Sequence, residues 1–127
     1  MSQKFQTPET PNVLSIYVLS KVLNDMMKIG IENIIRDTNY KSSLLYNTIN
    51  KHESFSPYIN DKNIQSKTVI VSNCKKESDY YINILKNKRL IIGKGYGKVK
   101  NQIRIANFPT HSKEVFELLC DELTHIK

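Results

Sequence analysis

A chain of 127 residues has the length of one domain with a modest buried core, and its 39% apolar and 24% charged content is ordinary for a globular protein. No apolar run approaches the ~20 residues that a bilayer span needs, and "MSQKFQTPETPN" carries no apolar signal core, so no membrane partner and a cytoplasmic location are expected. The net charge of +7 admits a nucleic-acid partner, but sixteen lysines against three arginines lie mostly scattered.

"TPETPN" reads as an extended, proline-punctuated arm, so residues 1–12 are expected to precede the domain proper, 13–127. Thr10 or Asn12 is placed to cap a first helix over about 13–29, with Pro11 in a position suited to its start. That helix carries Ile16, Leu19, Leu23, Met26 and Met27 on one stripe. Val18, Val22 and Ile29 carry the apolar surface well round the cylinder, which asks for cover on two sides. Gly30 ends it. A second helix over about 31–51 shows Ile31, Ile34, Ile35, Thr38, Leu45 and Ile49 at helical spacing.

"SFSPYINDKN" predicts a loop with at most one short strand, and "SKTVIVSN" a central strand from its β-branched run. A third helix is expected from Asn73 or a neighbour to about Asn87, with Tyr81, Ile84 and Leu85 inward. "RLII" then reads as a short strand, "GKGYGK" as a turn and "NQIRIAN" as a strand. "PTHSKEVFELLCDELTHI" closes the chain as an amphipathic helix burying Phe116, Leu119, Cys120 and Leu123. The order predicts an α+β fold: a small, mostly antiparallel sheet covered by helices mainly on one face.

Few motifs carry chemistry. "GKGYGK" is not a P-loop, because Lys98 is followed by Val99 and no glycine stands five places before Gly97. Nor is it a dinucleotide fingerprint; by pattern it is a glycine turn. His52, His111 and His125 share no metal-binding or catalytic spacing, and Cys74 and Cys120 read as idle or buried thiols. Arg104 says more. Alternation puts Ile103 and Ile105 on one face of their strand and Gln102, Arg104 and Ala106 on the other. A guanidinium beside small Ala106 suits bidentate capture of a planar carboxylate; the alternative is a plain surface arginine.

Three segments, "FQTPETPNVLSIYVLSKVL", "SKTVIVSN" and "GKGYGKVKNQIRIANFPTHSKEVFELL", occur in this order. Together they resemble the C-terminal part of class V pyridoxal-phosphate aminotransferases, closest to the phosphoserine aminotransferase group, over nearly the whole chain. The resemblance implies the C-terminal small domain of a fold-type I enzyme. The large domain, with the lysine that forms the Schiff base with pyridoxal 5'-phosphate, would lie outside this sequence. The second apolar face of the first helix would then pack on that domain.

The resemblance also implies roles by position. Arg104, in "IRIAN", matches the arginine that grips the α-carboxylate of the amino-acid substrate. Gln6 and Thr7, in "FQTP", match a polar pair that reaches across a homodimer interface to the partner's cofactor phosphate; an amide and a hydroxyl are suitable donors. Shortly before this arginine the group carries a His-Arg pair for the substrate phosphate, where this chain has Gly97 and Lys98. Lys98 would supply a point charge there without a fork. The implied reaction moves the amino group of phosphoserine to 2-oxoglutarate in serine biosynthesis, with a serine- or alanine-type donor left open. The chain alone is expected to be inactive. The rival expectation is a basic module using residues 86–104 on RNA or another anion, with affinity that falls steeply with salt.

Overall fold

The computed structural model describes residues 9–126, so Gln6, Thr7 and most of the expected arm lie outside the described residues. The chain divides into two compact units, Met1–Ile34 and Ile35–Lys127. In the first, helix α1 runs Val13–Ile29, and the Asn12 side chain accepts a hydrogen bond from the Ser15 N–H at 3.0 Å. That bond occupies one of the four amides a helix start leaves without partners. Gly30 ends the helix at φ 87°, a left-handed angle that costs glycine little, and its N–H returns to the Met26 carbonyl at 3.0 Å. No residue of α1 is buried. Leu14 and Met27 are each 73% exposed, so the apolar girdle expected of this helix is present and open to solvent.

Helix α2 spans Ile31–Lys51, as its spacing predicts. The second unit contains its greater part, strands β1 (Phe55–Pro57) and β2 (Val69–Cys74), helix α3 (Ser78–Asn87), strands β3 (Gly93–Lys94) and β4 (Gln102–Ala106), and helix α4 (Lys113–His125). The four strands form one antiparallel sheet in the order β1-β2-β4-β3. On β2, Ile70, Ser72 and Cys74 are buried while Val69, Val71 and Asn73 are half-buried. The β2–β4 register sets Ile70 opposite Ile105 and Ser72 opposite Ile103, so the buried residues of both strands share one face.

Against that face pack Leu45 and Ile49 of α2, Tyr81 and Leu85 of α3, and Phe116, Leu119 and Leu123 of α4. Burying a side chain of this size contributes about 1.5–3 kcal/mol. The α+β fold class and the buried face of α4 therefore agree with the sequence reading.

Three local expectations need correction. Helix α3 begins at Ser78 rather than near Asn73, because Ser72, Asn73 and Cys74 are paired with β1. Helix α4 begins at Lys113, where the Ser112 hydroxyl accepts from the Val115 N–H; Pro109–His111 precede it as a turn. "RLII" is not a strand. Arg89 sits at φ 63°, and the amides of Arg89 and Leu90 return to the carbonyls of Lys86 and Leu85, both at 2.9 Å. This is a Schellman ending of α3, with arginine at the left-handed position where glycine is usual. Leu90 then joins Leu85 in the core cluster, and the strand is the pair Gly93–Lys94, which the sequence pattern assigns to the turn.

Both cysteines are free and buried. Burial pushes the Cys74 thiol up from 9.0 to about 11, more than a hydrogen bond from the Ile103 backbone lowers it. A thiol whose folded pKa exceeds its unfolded value contributes stability that is complete below pH 9 and lost as pH rises from 9 towards 11. Chemical denaturation at pH 8 and pH 10.5 should show a loss of about 1–2 kcal/mol attributable to this group. A Cys74→Ala variant should lose less over the same interval; an equal loss would remove Cys74 as the cause.

Candidate functional site

Strand β4 lies between β2 and β3. Its pleat sends Ile103 and Ile105 into the core, where they are 0% and 2% exposed, and leaves Arg104 half-buried on the opposite face. Arg104 is flanked by Val71 on β2 and Gly93 on β3. Alternation had assigned these faces, and Ala106 shares the outer face as expected. Gln102 differs: it is only 8% exposed, because its amide donates to Asn73 Oδ1 at 2.9 Å and the chain at Gly95 closes over it.

Two glycines make this crossing possible. A Cβ on Gly95 would lie 2.4 Å from the Gln102 Cβ and 2.8 Å from its Oε1, so no side chain fits while the Gly95 N–H donates to the Gln102 carbonyl at 2.8 Å. A Cβ on Gly93 would meet the Arg104 guanidinium itself, 3.3 Å from Nη2 and 3.4 Å from Nε. The arginine thus runs across β3 through the space that a glycine leaves. Beyond it the Tyr96 ring lies under the guanidinium, with the central carbon 4.5 Å from the ring centroid. Among the described residues no carboxylate lies within ion-pairing distance of Arg104. A cation that is half-buried, set over a ring and without an ion-pair partner retains donors for an incoming anion.

The other basic residues of the 86–104 stretch are dispersed. Lys94 pairs with Asp79 at 2.8 Å and Lys88 pairs with Glu122. Lys98 is exposed in the loop after Gly97, whose φ is 70°. The residue seen against Arg104 is Tyr96, which the sequence reading had not assigned to it. On the outer face, Val69 and Val71 join Tyr58, Ile59, Ile64 and Tyr96 around a groove of about 320 Å³.

Behind β4 the chain is fastened by buried polar groups. The Asn107 amide donates to the carbonyls of Lys67 at 2.8 Å and Thr38 at 3.0 Å. Lys41, on α2 and 2% exposed, donates its ammonium to the carbonyls of His111 at 2.7 Å and Phe108 at 3.0 Å. The same ammonium stands 5.2 Å from the Phe116 ring centroid. Burial pushes its pKa down, partly offset by nearby Asp37. With its protons directed at two carbonyls, Lys41 is poorly placed to form an imine with a cofactor. What the described residues offer on the outer face is one half-buried guanidinium with no carboxylate against it.

The class comes first from the fold: this α+β arrangement matches that of an aminotransferase small domain. In particular, the chain is similar to phosphoserine aminotransferase SerC from Cytophaga hutchinsonii, with 39% identity over 93% of its own length and a TM-score of 0.86. The phosphoserine aminotransferase of Bacillus circulans subsp. alkalophilus superposes at 0.81 with 21% identity over 92% of the chain. The cystine C-S lyase C-DES, solved with its product cysteine persulfide, superposes at 0.64 with 13% identity over 82%. A variant of the same lyase, with glycine linked covalently to its pyridoxal-phosphate cofactor, superposes at 0.65. The last three likenesses speak for the fold. The chain spans about a third of each of these two aminotransferases, 33% in both cases, and 27% of the lyase. No protein-family model matches the sequence, and no curated protein does.

Proposed function

We propose that this chain is the substrate-binding small domain of a pyridoxal-phosphate aminotransferase of class V and phosphoserine type, a cytoplasmic homodimer acting in serine biosynthesis. The observation that carries the reading is Arg104: a half-buried guanidinium with no carboxylate partner among the described residues, on the sheet face that the core helices leave open. The 39% identity to a phosphoserine aminotransferase supports that reading.

In this role the planar fork of Arg104 binds the α-carboxylate of the amino donor, and of the 2-oxo acid in the return half-reaction, through two parallel N–H···O bonds. Fixing that end of the substrate presents its amino or carbonyl carbon in one orientation, so the chain's contribution is positioning. The cofactor supplies the electron sink for carbon–hydrogen cleavage when bound. Gln6 and Thr7 would donate to the cofactor phosphate across the dimer interface, and the Schiff-base lysine would come from outside these 127 residues. Lys98 would supply charge for the donor's phosphate. If it does not, a serine- or alanine-type donor takes the place of phosphoserine. The reading assigns no nucleic-acid partner; within residues 86–104, Lys88 and Lys94 are each in an ion pair with a carboxylate.

Donor preference is the direct test. An aminotransferase containing this chain should use phosphoserine with 2-oxoglutarate in preference to serine or alanine, and a preference for alanine would transfer the proposal to the alanine-type enzymes. The isolated chain, incubated with pyridoxal phosphate and reduced with borohydride, should show no stoichiometric single-lysine adduct by intact mass. One cofactor on one lysine would overturn the assignment to a domain that lacks the cofactor lysine.

A further inference from the structure

We infer that Tyr96 and Gly93 are positioning residues for Arg104, setting the place and direction of its guanidinium and thereby the strength of carboxylate binding. This rests on the carboxylate reading of Arg104 and extends it to two residues that touch neither substrate nor cofactor in that reading.

A long arginine side chain on an open sheet face has many rotamers, and ordering them opposes binding. Here two features remove that freedom. Opposite Arg104 on β3 stands Gly93, and any side chain there would begin 3.3 Å from Nη2, closer than ordinary contact. The missing side chain is the channel through which the arginine crosses the strand. At the far end, the guanidinium carbon lies over the Tyr96 ring, 4.5 Å from its centroid. A cation–π contact with the ring uses no N–H donor in an ion pair, so the guanidinium keeps donors for a carboxylate.

Tyr96 is itself 63% exposed, so its energetic role in the fold is small. What holds the loop beneath the arginine is backbone: the Gly95 N–H bonded to the Gln102 carbonyl, and Gly97 in the left-handed region. The arrangement is thus a preformed seat, in which a ring and a gap orient one cation.

The sequence makes the test clean, because Arg36, Arg89 and Arg104 are its only arginines. In ¹⁵N-labelled protein, three Nε–Hε signals are expected, and the Arg104 signal is identified by its loss in Arg104→Lys. It should be displaced by the Tyr96 ring current, stay displaced in Tyr96→Phe, and return to the position of a solvated arginine in Tyr96→Leu. Gly93→Ser should move it in the same direction as Tyr96→Leu.

Titration with 2-oxoglutarate should shift this signal in the wild type. The apparent Kd should rise about two- to fivefold in Tyr96→Leu and stay within about twofold in Tyr96→Phe, the range expected for one exposed cation–π contact. Thermal unfolding should be nearly unchanged in both Tyr96 variants, separating positioning from stability. An Arg104 signal indifferent to Tyr96→Leu, or equal 2-oxoglutarate affinity with and without the ring, overturns the inference. A ring-dependent signal that no carboxylate perturbs overturns the carboxylate reading beneath it instead.

Discussion

Arg104→Lys, in an aminotransferase containing this chain, should lower kcat/KM for the amino donor about 10- to 100-fold, the rate equivalent of losing about 1.5–3 kcal/mol of charge-assisted hydrogen bonding. Lysine keeps the charge but loses the fork, and its compact ammonium is a poorer match to the broad contact the guanidinium makes over the Tyr96 ring. The effect should appear for both the amino donor and the 2-oxo acid, because both present a carboxylate. The fold should be untouched: Arg104 is half-buried on the outer face, and the core is made by Ile103 and Ile105 on either side of it. Steady-state kinetics with each substrate, alongside a thermal melt, checks this. A variant with normal KM and kcat for both substrates would return Arg104 to the status of a surface arginine.

Lys41→Met should be the most destabilising single change considered for this chain, by about 2–4 kcal/mol. Methionine approximates the lysine stem and keeps its packing near Phe116, but removes the donor to two carbonyls. The carbonyls of Phe108 and His111 would then be left with no replacement for that ammonium in a site where the lysine is 2% exposed. Leaving a buried acceptor unsatisfied costs about 1–3 kcal/mol. Urea denaturation of wild type and variant measures the difference; a change below about 1 kcal/mol would mean that water takes over both carbonyls.

The pH dependence has a direction of its own. Burial lowers the Lys41 pKa, so the folded state releases this proton before the unfolded chain does. Its contribution therefore rises with pH through the interval just below 10.5, opposite in sign to that of Cys74, and should be absent in Lys41→Met.

Those two residues were not equally legible. Arg104 could be placed because a strand has period two, and two isoleucines fix which face is inward. Lys41 sits between Tyr40 and Ser42 in a helix, where lysine ordinarily reaches solvent. Only the turn returning from β4, some seventy positions away, supplies the acceptors that draw it in. The boundaries of α1 and α2 were readable from Asn12 and Gly30, whose local chemistry ends helices by itself.

Around "RLII" the same reasoning misled. Leu90 and Ile92 are apolar because they complete the core after a helix ending, and the strand that does form is Gly93–Lys94, with no β-branched residue to announce it. Tyr96 lacked any periodic signal, since its position depends on a glycine loop folding over Gln102. Gln6 and Thr7 rest on the resemblance alone.

The lengths of the outermost strands bear on how copies of this chain can associate. β1 has three residues, one of them Pro57, which has no amide hydrogen to offer, and β3 has two. Both are too short to template a neighbouring chain in the manner of fibrils. Any self-association in concentrated solution should therefore leave the β content unchanged and bind no amyloid dye. Aggregation would then be a problem of sticky side chains, treatable by substituting apolar residues on the surface of α1 rather than by blocking the sheet.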